Sequence, residues 1–214
     1  MQLYGRRSSI NVQKVLWCLG ELGLAEGRDY ERIDAGLEYG VIDTPAYRAL
    51  NPNGLVPTLI DGGNTLWESN TILRYLAGTH AAGAALLPAA PGERASVERW
   101  MDWQLGTLWA TLRVAFLGLT RTAPEARNMA AIHASFAEAA RLLRLLDAQL
   151  AAQPFIALGR FTLADIVVGL AAHRWYGLGE RFADLLPAEA EMPNVARWLA
   201  ALREREAFGE ALRG

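Results

Sequence analysis

Hydrophobic positions follow two different periods in the first 80 residues and only one after them. Residues 2–5 (QLYG) form a short strand candidate. Residues 11–23 place Val12, Val15, Leu16, Leu19 and Leu22 at helical spacing, with Gly23 just past the end. Residues 30–34 alternate and fit a short strand, and residues 44–50 fit a short helix with Pro45 at its first position. The stretch 51–69 then reads as turn, strand (55–60), turn (61–64) and strand (65–67). Residues 69–79 return to the helical period through Ile72, Leu73 and Leu76.

Residues 81–92 hold two glycines and two prolines among small side chains and read as a linker. Nearly all that follows is helical. Residues 93–118 run a stripe through Val97, Trp100, Trp103 or Gln104, Leu108, Leu112 and Phe116. Further helices are expected over 124–152, 162–176 and 193–206. The outline is a small α/β domain over 1–80, a linker over 81–92 and an all-α domain over 93–214, with no internal repeat.

Composition narrows the function. The chain has 214 residues, 52% of them hydrophobic, and a net charge of -2. That supplies a sizeable core and no basic excess for nucleic acid or an anionic membrane. No uninterrupted apolar run reaches the roughly 18 residues of a membrane span, and the N-terminus lacks a signal-peptide pattern. Cys18 is the single cysteine, so no intrachain disulfide can form and a reducing cytoplasm is the simplest setting. It falls on the apolar face of the first helix, as an inert core thiol would. His80, His133 and His173 are scattered without a ligand motif, so no metal is expected. Phosphate-loop, dinucleotide and GxSxG patterns are also missing.

Three segments carry chemical interest. NPNGLVP (51–57) puts a Val-Pro bond beside a turn, where Pro57 could simply open an edge strand. WES (67–69) joins a strand to a helix: Glu68 and Ser69 serve either as caps or as an anion site on free helix N–H groups. RRSSIN (6–11) occupies the same kind of junction, with the same two readings for Ser8, Ser9 and Asn11. Thr162-Leu-Ala-Asp165 is a capping box. Asp102, between Trp100 and Trp103, is either a solvated helix residue or an acid that reaches a partner subunit's ligand.

SSINVQKV after strand QLY, NPNGLVPTL, LWESNTILRYL and FTLADI together resemble the cytosolic glutathione S-transferases across essentially the whole chain. MDWQLGTL and GLTRTAPEAR look like a bacterial branch related to the theta and nu classes. The resemblance implies a thioredoxin-like N-terminal domain, an all-helical C-terminal domain, a cytoplasmic homodimer and glutathione as co-substrate. It implies that Pro57 is cis and that the Val56 backbone pairs with the cysteinyl part of glutathione. Glu68 would take the γ-glutamyl ammonium and Ser69 the carboxylate. Counting back six residues from Val15 places the serine-type activating hydroxyl at Ser9. Asn11 falls where nu-like members keep an asparagine near the sulfur, and Ser8 competes one residue away. Tyr4 precedes the loop and faces elsewhere. No cysteine occupies residues 6–11, against mixed-disulfide chemistry. Residues 36–44 offer no cation for the glycyl carboxylate.

The implied activity is conjugation of the glutathione thiolate to a small hydrophobic electrophile held between the domains. Trp109, Arg113, Phe116 and Trp175 are its candidate walls, each also readable as core. Glutathione-dependent disulfide reduction or peroxidase activity, and non-catalytic binding of glutathione or a hydrophobe, are the alternatives.

Overall fold

The computed structural model describes residues 1–213, in two compact units: residues 1–89 with 203–213, and residues 90–202. The first unit is built on four strands, β1 (Gln2–Tyr4), β2 (Glu31–Ile33), β3 (Thr58–Asp61) and β4 (Asn64–Trp67), in the order β2-β1-β3-β4. β1 and β2 run parallel, so a crossover helix must join them, and α1 (Ile10–Glu21) does so. β3 is antiparallel to β1, with Leu3 opposite Leu59, and β4 is antiparallel to β3 across a tight turn in which Gly62 has φ +56°. α2 (Pro45–Leu50) starts at Pro45 after Thr44, whose hydroxyl accepts the Tyr47 N–H at 3.2 Å. α3 (Ser69–Thr79) packs against α1; Ile72, Leu73 and Leu76 of α3 and Val12, Val15 and Leu19 of α1 are all buried. The expected linker holds one short helix, α4 (Gly83–Leu86). Cys18 is fully buried and burial raises its thiol pKa, so it stays an unreactive thiol.

The strand expected over 55–60 starts only at Thr58. Leu55 is 62% exposed, and its carbonyl accepts from Tyr47 Oη at 2.7 Å and Asn51 Nδ2 at 2.9 Å. Side chains, not a strand ladder, therefore hold the segment that leads into Val56 and Pro57.

The second unit is helical: α5 (Pro91–Trp103), a π-helical turn (Gln104–Leu108), α6 (Trp109–Thr120), α7 (Met129–Leu150), α8 (Leu163–Arg181) and α9 (Pro193–Arg203). The buried stripe runs Val97, Met101, Gln104, Leu108, Leu112, Ala115 and Leu119, at spacings of three and four residues on both sides of the π turn. Trp100 and Phe116, expected on that stripe, are half-buried, and their neighbours Met101 and Ala115 take those places. Asp165 lies at the start of α8, fully buried, and accepts the Thr162 N–H (2.9 Å), Thr162 Oγ1 (3.1 Å), the Ile156 N–H (3.0 Å) and Trp198 Nε1 (3.0 Å). Asp147 of α7 accepts the Asn194 and Val195 N–H groups at 2.8 and 2.9 Å, satisfying the start of α9.

The last segment forms a separate helix, α10 (Glu206–Leu212), which packs on α1 of the first unit. Phe208 meets Trp17 edge-on at 4.8 Å. A Cβ on Gly20 would come within 2.8 Å of the Ala207 Cβ, so the missing side chain lets the Ala207 methyl close in on α1. Arg205 grips the Glu21 carboxylate with two hydrogen bonds of 2.7 and 2.6 Å. Residues 203–213, expected with the helical half, belong instead with the first unit, where Phe208 packs on Trp17 of α1. Among the described residues no helix is long and apolar enough to cross a membrane.

Candidate active site

The site residues of the first unit stand where strands hand over to helices. After β1 the chain continues the parallel pairing, with the Gly5 N–H on Ile33 O (2.8 Å) and the Arg6 N–H on Ala35 O (3.1 Å). Gly5 has φ +151°, and a Cβ there would strike Val12 Cγ2 at 2.4 Å and approach Val56 Cβ at 3.3 Å. Only glycine lets the loop pass this close to α1 and to Val56. Ser9 is then the N-cap of α1; its carbonyl accepts the Gln13 N–H at 2.9 Å, while its hydroxyl makes no cap bond. Ser9 is buried and Ser8 exposed. Tyr4 turns its ring edge-on to Tyr47 at 5.7 Å, into the sheet packing.

The Val56–Pro57 bond is cis, as the resemblance implies. Asn51 fixes the preceding turn: its Nδ2 also donates to Thr58 Oγ1 at 3.1 Å, and its Oδ1 accepts the Asn53 N–H at 3.1 Å. Among the described residues no hydrogen bond engages the Val56 N–H or C=O. A peptide unit presented this way can accept an extended ligand as an added strand.

Glu68 has φ +67° and ψ +110°, a left-handed backbone that non-glycine residues rarely adopt. Such geometry costs of order 1–3 kcal/mol and is kept where the neighbourhood over-determines it. It aims the start of α3 so that buried Ser69 donates from Oγ to Asn11 Oδ1 at 3.4 Å. The first turns of α1 and α3 therefore share one site. Each brings free N–H groups and a positive dipole end, which together suit a carboxylate.

Two basic residues belong here that sequence reasoning missed. Lys14 is fully buried and donates from Nζ to Asn70 Oδ1 at 3.5 Å. Burial lowers its pKa to about 7, against the pull of the Glu68 carboxylate. Its spacing was the available signal: it lies three residues after Asn11, on the same helix face. Arg6 is the other. A Cβ on Gly36 would fall 2.9 Å from Arg6 Nη1, so this guanidinium lies against the loop that carries no cation of its own.

In the helical unit, Trp109, Arg113 and Phe116 share one face of α6, and the Trp109 and Phe116 rings lie 5.5 Å apart. Trp175 stands apart from them. It stacks on Phe136 at 4.8 Å, donates from Nε1 to Phe136 O, and lines a cavity of about 580 Å³ with Phe136, Tyr176 and Met192. Asp102 is exposed on α5.

Comparison with known proteins bears on this arrangement. A model of the glutathione S-transferase N-terminal domain matches residues 3–84, and one of the C-terminal domain matches residues 129–201. Glutathione S-transferase GstB of Escherichia coli (strain K12) is 40% identical over 207 residues, covering 96% of this chain and 94% of that relative. The chain belongs to the glutathione S-transferase family. Its fold is the thioredoxin-like plus helical fold of these transferases. The theta class glutathione S-transferase from Xanthomonas axonopodis pv. citri with glutathione bound superposes with a TM-score of 0.88, at 44% identity, covering 100% of this chain and 97% of that one. A glutathione transferase from Burkholderia graminis with two glutathione molecules bound per subunit gives 0.83 at 28% identity, covering 99% and 86%. The two family matches fall one in each unit of the chain.

Proposed function

We propose that this transferase activates glutathione at Ser9 and conjugates it to a small electrophile. The supporting observation is the meeting of the α1 and α3 N-termini through Asn11 and Ser69, beside the unengaged Val56 peptide. In this reading Glu68 receives the γ-glutamyl ammonium, Ser69 the adjacent carboxylate, and Val56 the cysteinyl backbone, next to Pro57. Arg6, at the Gly36 loop, takes the glycyl carboxylate. The bound thiol loses its proton to solvent, and the sulfur then forms a bond to carbon. A leaving group departs with its electron pair, or a double bond accepts the pair and later a proton. Trp109, Arg113 and Phe116, which share one face of α6, are the proposed electrophile contacts.

Glu68→Ala removes a charge-assisted contact of about 1.5–3 kcal/mol, so glutathione affinity should fall roughly 10- to 150-fold by calorimetry. Unchanged affinity would remove Glu68 from the site. Ser9 acts on the anion: a thiol with a pKa near 8.5 is only a few per cent ionised at neutral pH. One donated hydrogen bond favours the thiolate by roughly one to two pKa units. Ser9→Ala should therefore cut turnover more at pH 6.5 than at pH 9, with glutathione affinity little changed. Equal losses at both pH values would reduce Ser9 to a positioning role. A loss seen only in Asn11→Ala, or only in Ser8→Ala, would move the activating group there.

Disulfide reduction is the second reading, supported by the two glutathione molecules per subunit in the Burkholderia graminis relative. Turnover of 2-hydroxyethyl disulfide above that of 1-chloro-2,4-dinitrobenzene would favour it. We also propose a two-fold homodimer, the commonest closed assembly, to cover apolar groups such as Leu37, Tyr39 and Leu55, each at least 48% exposed. A light-scattering mass near 23.4 kDa would remove the dimer.

A further inference from the structure

The helical unit holds a cavity of about 580 Å³ that the transferase reading does not use. Small-molecule sites run from roughly 300 to 1,000 Å³, so a ligand of two or three rings fits the volume. Every lining residue belongs to α7, α8, the segment 182–192 or the start of α9, and none is assigned above to glutathione or the electrophile. Phe136 and Trp175 are almost fully buried, stacked at 4.8 Å with their planes 11° apart, and form the floor. Tyr176 lines the cavity as well and stands edge-on to Trp175 at 4.9 Å. Gly179 follows Trp175 by one helical turn. A Cβ there would sit 3.5 Å from Phe136 Cζ, an ordinary contact. Glycine is unfavourable inside a helix, and here it relieves no clash; its effect is to leave the space open.

Charge then selects the occupant. Glu180, Glu189 and Glu191 line the cavity, and among the described residues no lysine, arginine or histidine does so. Arg144 of α7 engages Glu189 at 3.2 Å. Glu180 and Glu191 are exposed, and among the described residues neither forms an ion pair or a hydrogen bond. An entering anion therefore meets two carboxylates without a counter-cation, and a neutral hydrophobe gains only the apolar floor. A flat cation gains both, because aromatic rings and carboxylates each attract positive charge. Glutathione, with two carboxylates against one ammonium, has the wrong sign for this cavity. We infer that the cavity between α7, α8 and the segment 182–192 binds a flat aromatic cation with a quaternary nitrogen. This site goes beyond the transferase reading and stands without it.

The test is calorimetry on the full chain at pH 8 with three probes that share one ring system: N-methylacridinium, neutral acridine and acridine-9-carboxylate. The cation should bind at least about tenfold tighter than acridine at low salt, the gap narrowing as ionic strength rises, and the carboxylate should bind weakest. Glu180→Gln/Glu191→Gln, at two exposed positions, should bring the cation down to the level of acridine. Gly179→Leu fills the floor beside Phe136 and should abolish binding of cation and neutral probe alike, with the circular dichroism of the chain unchanged. Equal affinities for cation and acridine, no measurable cation binding, or a preference that survives the double glutamine change would each overturn the inference. Undiminished binding to a folded Gly179→Leu protein would place the probe elsewhere and overturn it too.

Discussion

Asp165→Ala should lower the unfolding free energy by about 3–5 kcal/mol, the range for removing one partner from a buried charged network. The carboxylate takes four hydrogen bonds, from Thr162 N–H and Oγ1, Ile156 N–H and Trp198 Nε1, at 2.9–3.1 Å. Burial lifts its pKa to about 6 against the pull of these donors, so it is charged at neutral pH. Alanine strands every donor, and each buried unsatisfied group costs about 1–3 kcal/mol. The segment around Ile156, the first turn of α8 and Trp198 of α9 lose their common anchor together. Asp165→Asn keeps an acceptor and should fall between alanine and the original residue. Urea unfolding followed by tryptophan fluorescence measures all three; a loss below about 1 kcal/mol for alanine would mean that the donors find other acceptors.

The second large effect concerns Lys14 and pH. Burial places its pKa at about 7 in the folded chain, against 10.5 for the exposed side chain. Between those values the unfolded chain holds the extra proton, so unfolding free energy rises with pH. At about 1.36 kcal/mol per unit, Lys14 should add about 3 kcal/mol of stability between pH 7 and 9.5. Below pH 7 the burial penalty is fully present, because the folded protein must then carry the charge. Lys14→Met fills similar volume without charge and should remove this rise, leaving the variant the more stable protein at pH 7. Denaturant midpoints at pH 7 and 9.5 for both proteins decide it. Parallel rises would show that Lys14 is not the group responsible.

Much of the fold is legible because local chemistry marks it. The Thr162–Asp165 spacing, Pro45 after Thr44, and the NPNG turn each fix a boundary within a residue or two. The site is legible as a set of junctions: Ser9, Asn11, Val56 and Ser69 stand at strand or helix ends in the sequence and in the structure. What escaped depends on phase and on distance along the chain. After Leu112 both Ala115 and Phe116 fit helical spacing, and only packing decides that Ala115 is the buried one. The positive φ of Glu68 is set by its surroundings, since glutamate has no intrinsic preference for it. Lys14 reads as a polar interruption in an apolar helix until α3 covers it. Trp175 and Arg174 are neighbours in sequence, but α8 turns one toward Phe136 and the other toward Phe116.

The pairing of α10 with α1 sets an order on biosynthesis. A ribosome releases residues 1–89 long before residues 203–214 exist, so the emerging sheet domain must wait with Trp17 uncovered and Glu21 without Arg205. The helical unit, continuous from 90 to 202, has no such delay and can settle first, although it is made second. The nascent chain therefore carries Trp17 without Phe208 until α10 has been made, so the N-terminal domain completes its packing only after the helical unit has been synthesised.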